Sequence, residues 1–107
     1  YCRIVEAYVK KNGFSLVRDL GGHGIGKKLH EYPNVPNYYD KKFKDIKLKQ
    51  GMVFALEPMV NAGAYNSILG PDGWTFVTAD GSLSAHYENT VLITENGVEV
   101  LTCQDGK

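Results

Sequence analysis

Apolar side chains recur at Ile4, Val5, Tyr8 and Val9, the three-to-four spacing of one helix face, which predicts a helix over residues 1–12. Lys10 and Lys11 suit its last turn, and Gly13 its C-terminal cap. Phe14 to Val17 is short and β-prone. It runs into Gly21-Gly22-His23-Gly24-Ile25-Gly26, a stretch too rich in glycine for a regular element, so strand followed by tight turn is expected. From Tyr32 to Gln50 neither period persists, and Pro33 and Pro36 restrict the backbone, which predicts a long surface loop. Met52 to Val60, Trp74 to Thr78 and Ala85 to Thr94 are apolar and β-branched and read as strands. Asn96-Gly97 marks a hairpin that returns as a strand over Val98 to Thr102. The pattern predicts one α+β unit, an antiparallel sheet of four or five strands with a flanking helix.

Composition narrows the class. A chain of 107 residues with 43% hydrophobic content has the size and core of one modest globular domain. Twelve basic residues balance twelve acidic ones, which excludes an overall field drawing it to nucleic acid or an anionic membrane. No apolar run reaches the ~20 residues of a membrane span, so a soluble protein is expected. Cys2 and Cys103 make no CxxC or Cys/His spacing, which argues for free thiols in a reducing cytoplasm. The opening YCRIVEAYVKKNG reads as the end of a helix already under way, and an N-terminal portion is expected to be missing.

Chemistry concentrates in few places. His23 lies among glycines that let the backbone fold closely around an imidazole. A phosphate-cradling loop would also be glycine-rich but wants a helix after it, and here His30-Glu31-Tyr32-Pro33 follows. Glu57 ends an apolar strand directly before Pro58, where an ionised carboxylate needs a cation or several donors to offset desolvation. Glu88 interrupts a second apolar strand. For either histidine alone the ordinary alternative is a surface or satisfied core residue; for the glutamates it is the polar face of a half-buried strand, which fits Glu88 better than Glu57. Together, one His and two Glu make a hard, oxygen-rich set suited to a catalytic divalent metal. Two ions about 3.5–4 Å apart need more oxygen donors than these, and Asp19, Asp40, Asp45, Asp72, Asp80 and Asp105 sit mostly in turns or loops.

Gly22-His23-Gly24-Ile25-Gly26 with Leu29-His30-Glu31 and Pro33, then Leu48 to Met52 leading to Glu57-Pro58-Met59, resembles methionine aminopeptidases of the bacterial type. Asp72-Gly73-Trp74-Thr75, Ser84-Ala85-His86-Tyr87-Glu88-Asn89-Thr90 and Asn96 to Thr102 continue the resemblance in order. It implies the C-terminal half of a pita-bread fold, with residues 1–107 forming the C-terminal part of one metallopeptidase catalytic domain. It also implies removal of the initiator methionine from nascent proteins in the cytoplasm by metal-hydroxide attack. The cofactors would be two divalent ions, cobalt, manganese, iron or zinc.

By position, His23, Glu57 and Glu88 match metal ligands, Glu57 also handling a proton. His30 matches the histidine that contacts substrate and the tetrahedral intermediate. Trp74 falls where the methionine pocket is lined, and Leu29 there too, although core packing is the stronger reading for Leu29. The family's two aspartate ligands and another substrate-contacting histidine lie N-terminal to the matched region, so the chain alone is expected to be inactive without that half. Asn89 replaces a histidine common among relatives. Partners would be the N-terminal peptide of a nascent protein and the enzyme's own N-terminal half, with no membrane. Lys41, Lys42, Lys44, Lys47 and Lys49 could touch the ribosome but read better as a solvated loop. The alternatives are a related proline-directed peptidase, disfavoured by Met59 after Pro58, and a non-catalytic pita-bread binding module.

Overall fold

The structure is a computed structural model that describes residues 1–103. Helix α1 (Cys2–Lys11) forms where the apolar period predicted it. It ends in a turn with Gly13 at φ +83°, where the amide of Phe14 donates to the Val9 carbonyl and that of Gly13 to Lys10. Glycine reaches this left-handed geometry without strain. The helix buries only Val9 against β1 (Ser15–Leu16), while Ile4 and Tyr8 are 75% and 70% exposed.

The remaining strands are β2 (Gly22–Gly24), β3 (Glu31–Val35), β4 (Val53–Leu56), β5 (Met59–Asn61), β6 (Ser67–Leu69), β7 (Phe76–Thr78), β8 (Ser84–His86), β9 (Asn89–Thr94) and β10 (Gly97–Val100). A five-stranded antiparallel sheet runs β10-β9-β4-β2-β3, a three-stranded sheet runs β1-β5-β8, and β6 and β7 form a separate hairpin. The core gathers Val9, Leu16, Val17, Phe54, Ala55 and Val91. The α+β expectation therefore holds, as does the antiparallel β9–β10 hairpin, with Gly97 paired to Thr94.

Three local expectations change. The glycine-rich segment is not a turn, because Gly22-His23-Gly24 is a buried strand inside the five-stranded sheet. A Cβ on Gly22 would collide with the Ala55 carbonyl oxygen, and one on Gly24 with that of Tyr32. Glycine here buys close approach between strands rather than flexibility. The expected loop from Tyr32 to Gln50 begins instead as β3, an edge strand that pairs on one side with β2, where a proline is tolerated. Finally, the two long strands are each divided. Met52 to Val60 splits into β4 and β5 at Glu57-Pro58, and Ala85 to Thr94 splits into β8 and β9 at Tyr87-Glu88.

The two breaks face each other. Leu56 pairs with Asn89 on the β4–β9 side, and Met59 pairs with His86 on the β5–β8 side. One antiparallel register thus passes through both breaks as the ladder leaves one sheet and enters the other, and Glu57 falls opposite Glu88. The amide of Tyr87 donates to the Pro58 carbonyl at 3.2 Å across the gap.

Candidate metal centre

Like charges placed opposite one another on paired strands repel, and the surroundings of Glu57 and Glu88 sharpen the conflict. The Glu57 side chain is only 16% exposed. Burial first, and then the charge of Glu88, push its carboxyl above the ordinary carboxylate range, against the opposing pull of His23. Glu88 is nearer solvent, its side chain 45% exposed.

His23 reaches this pair from the neighbouring strand. It pairs with Ala55, two positions before Glu57, so alternation along β4 brings both side chains to one face of the sheet. Its Nε2 lies 3.2 Å from Glu57 Oε2. The ring's other nitrogen, Nδ1, sits 2.9 Å from the Gly24 carbonyl oxygen. A carbonyl only accepts, so Nδ1 carries the proton and donates it there. The ring's Nε2 is left facing the carboxylate oxygen, with room between them for a proton or for a shared metal cation.

Donor atoms of His23, Glu57 and Glu88 all lie within 4.8 Å of one another. Among the described residues this is the one group of His, Cys, Asp and Glu donors so disposed. The donor set fits a divalent metal: one imidazole with its tautomer fixed, and two carboxylates whose mutual repulsion a cation relieves. The aspartates are engaged elsewhere in local structure. Asp72 accepts the amides of Trp74 and Thr75, Asp80 that of Ala64, and Asp40 and Asp45 those of Lys42 and Ile46. Asp19 accepts the Ser67 hydroxyl, and Asp105 lies outside the described residues.

His30 also comes to the cluster. Its ring centroid is 4.2 Å from that of His23, although the residue itself is exposed. The connection between β2 and β3 that carries it is closed by the Glu31 carboxylate, which accepts the Lys28 amide at 2.9 Å and lies over Gly26. Trp74 stands apart. It is 84% exposed in the turn between β6 and β7, and it does not line the cavity of about 410 Å³ onto which His86 opens. Leu29 is 68% exposed, so core packing is not its role in this structure.

One side chain at the cluster had no role assigned from the sequence. His86 Nε2 lies 3.6 Å from Glu57 Oε1 and 3.9 Å from Glu88 Oε2. The signal for it was its place two residues before Glu88, which puts both side chains on one face of an extended segment.

The sequence model described as metallopeptidase family M24 matches residues 2–95. A methionine aminopeptidase of Clostridium perfringens is 59% identical over 98 residues, covering 92% of this chain and 39% of its own length. Methionine aminopeptidase B of Synechocystis is 49% identical, over 92% of this chain and 35% of its own. The crystal structure of the Thermotoga maritima methionine aminopeptidase superposes with a TM-score of 0.90 at 46% identity, covering 96% of this chain and 41% of that one. The pita-bread fold expectation holds with these neighbours. The chain spans about two fifths of the length of such relatives. No helix among the described residues is long and apolar enough to cross a membrane. The family match runs through both strand crossovers and every donor of the cluster, and the chain belongs to metallopeptidase family M24.

Proposed function

We propose that this chain is the C-terminal part of a methionine aminopeptidase catalytic domain, which removes the initiator methionine from nascent proteins in the cytoplasm. The observation that carries the reading is the convergence of His23, Glu57 and Glu88 donors within 4.8 Å in a member of a metallopeptidase family. His23 through Nε2 and the two carboxylates would hold divalent metal, cobalt, manganese, iron or zinc. A second ion would draw its remaining ligands from the N-terminal half of the domain. When bound, the metal supplies a Lewis acid and lowers the pKa of water.

The chain's own groups account for the rest. Glu57, whose carboxyl is raised by burial, would accept a proton from the attacking water and pass it to the leaving amine. His30, exposed beside His23, donates a ring N–H to the oxygen that gains charge as the carbonyl is attacked. Trp74 packs on the methionine side chain once the rest of the domain closes over its turn.

The test is to join this chain to the N-terminal region of the Clostridium perfringens relative and to follow hydrolysis of Met-Ala-Ser. Activity should require the joined protein and divalent metal. Glu57→Gln and Glu88→Gln should each remove at least about 3 kcal/mol of transition-state stabilisation, a rate loss on the order of a hundredfold or more. A joined protein that folds and binds metal but cleaves only peptides with proline at the second position would replace this reading with a proline-directed one.

A further inference from the structure

The Glu57–Pro58 peptide group is unusual in what it lacks. Proline has no N–H, so the group's carbonyl is its sole hydrogen-bonding handle. It also lies in the gap between β4 and β5, after the Leu56 pairing has ended and before the Met59 pairing begins. That carbonyl accepts a hydrogen bond from Asn37 Nδ2 at 3.3 Å. Asn37 has no exposed surface, and its Oδ1 accepts the Tyr1 hydroxyl at 2.9 Å. Because a carbonyl only accepts, the amide nitrogen must face Glu57, which settles the orientation of the side chain. Burial pushes the Tyr1 hydroxyl up to about 12, so it stays a donor throughout the working range of pH.

We infer that Asn37 is a positioning residue for the metal centre: it fixes the Glu57–Pro58 peptide plane and through it the direction of the Glu57 carboxylate. The inference rests on the reading of Glu57 as a metal ligand. Tyr1, the N-cap residue just before α1, orders the Asn37 amide in turn, so the relay runs from the start of the helix through the segment after β3 to the strand crossover. A buried asparagine held at both ends costs desolvation that an apolar side chain would avoid, and the position of its one donated bond gives that cost a use.

Cobalt(II) titrated into the protein joined to the N-terminal region of the Clostridium perfringens relative, read by its visible d–d absorption and by calorimetry, tests this. The unsubstituted joined protein should bind. Asn37→Leu should weaken binding about tenfold to a hundredfold and change the absorption envelope, as loss of a supporting hydrogen bond behind a ligand does. Tyr1→Phe should give the same change in smaller measure. Asn61→Ala is the comparison, since Asn61 is equally buried but bonds the Ala64 carbonyl, and it should lower thermal stability while leaving the cobalt spectrum alone.

Asn37→Leu with an unaltered spectrum and affinity, or Asn61→Ala weakening cobalt to the same degree, would overturn the inference. If Asn37→Leu does not fold, Tyr1→Phe against Asn61→Ala decides on the same criterion. An unsubstituted joined protein that folds but takes no cobalt removes the metal reading itself, and this inference with it.

Discussion

Gly22→Ala isolates the strand-packing role of the glycines from any role in flexibility. The substitution adds one methyl group, and its Cβ would lie closer than 3.0 Å to the Ala55 carbonyl oxygen, nearer than real Cβ atoms come to a neighbouring backbone atom. Ala55 has no exposed surface and lies between two partners, His23 and Thr90, so it has nowhere to retreat. Restoring ordinary contact requires opening the β2–β4 spacing by roughly 1 Å, about a fifth of the 4.7–4.9 Å between paired strands.

Overpacking of that kind costs about 1–3 kcal/mol, which in a domain of this size lowers Tm by roughly 5–20 °C. The same displacement moves His23 away from Glu57, so metal affinity should fall by about tenfold or more. Gly13→Ala serves for contrast. Its φ is +83° but nothing lies within 4 Å of a Cβ there, so it should cost about 1–2 kcal/mol of backbone strain and leave metal affinity unchanged. Urea unfolding and calorimetry with cobalt(II) on all three proteins decide the matter. If Gly22→Ala unfolds within 0.5 kcal/mol of the parent, the account of β2 as a close-packed strand is wrong.

The raised carboxyl of Glu57 has a linkage consequence in metal-free protein. Since the folded state binds this proton more tightly than the unfolded one, stability falls as pH rises through and above the unfolded value. Glu57→Gln should therefore stabilise the metal-free chain at pH 7, with the gain shrinking as pH falls from the raised folded value toward the unfolded value of about 4.5 and gone below it. Divalent metal at a hundred times its Kd should reverse the order by stabilising the parent alone, by about 2.7 kcal/mol; equal stabilisation of both proteins would refute the ligand assignment. Asp72 is shifted oppositely, held at about 2 by the Thr75 hydroxyl and then the Thr75 and Trp74 amides. Its contribution to stability is present above the unfolded value near 3.8 and is lost as pH falls through 2. A carboxyl carbon titration by NMR should show that midpoint, and Thr75→Ala should raise it. Sedimentation velocity should show self-association, because β8 is a sheet edge flanked by Leu83 and Tyr87 at 84% and 72% exposure; a monodisperse monomer would argue against it.

What the sequence disclosed, and what it hid, follows from the range of the forces involved. Local signals carried α1, the Asn96-Gly97 hairpin and the apolar runs around Glu57 and Glu88, since periodicity, caps and turn chemistry are written within a few residues. The strand character of Gly22 to Gly24 was hidden because glycine's low strand preference is a local average, whereas the need for it arises from Ala55, which is remote in the chain. β3 was hidden for a similar reason: Pro33 argues against a strand until one knows that the strand is an edge. The crossovers at Glu57 and Tyr87-Glu88 are marked by a single acid inside runs that are apolar and β-prone on both sides, so each pair of short strands read as one. His86 went unassigned because its neighbours at the cluster are set by register across sheets. Glu57 was the better-marked candidate ligand, since its burial could be read from its own strand, while Glu88 looked equally like a surface residue and remains half exposed.

That the carboxylates occupy the crossovers gives the junction between the sheets a second duty. The angle at which one sheet passes into the other and the spacing of the Glu57 and Glu88 oxygens are a single mechanical variable. A change in packing on either side, even one far from any donor atom, is thereby transmitted as a change in the fit for a cation. Conversely, a cation held by both carboxylates would tie the two sheets together at their junction.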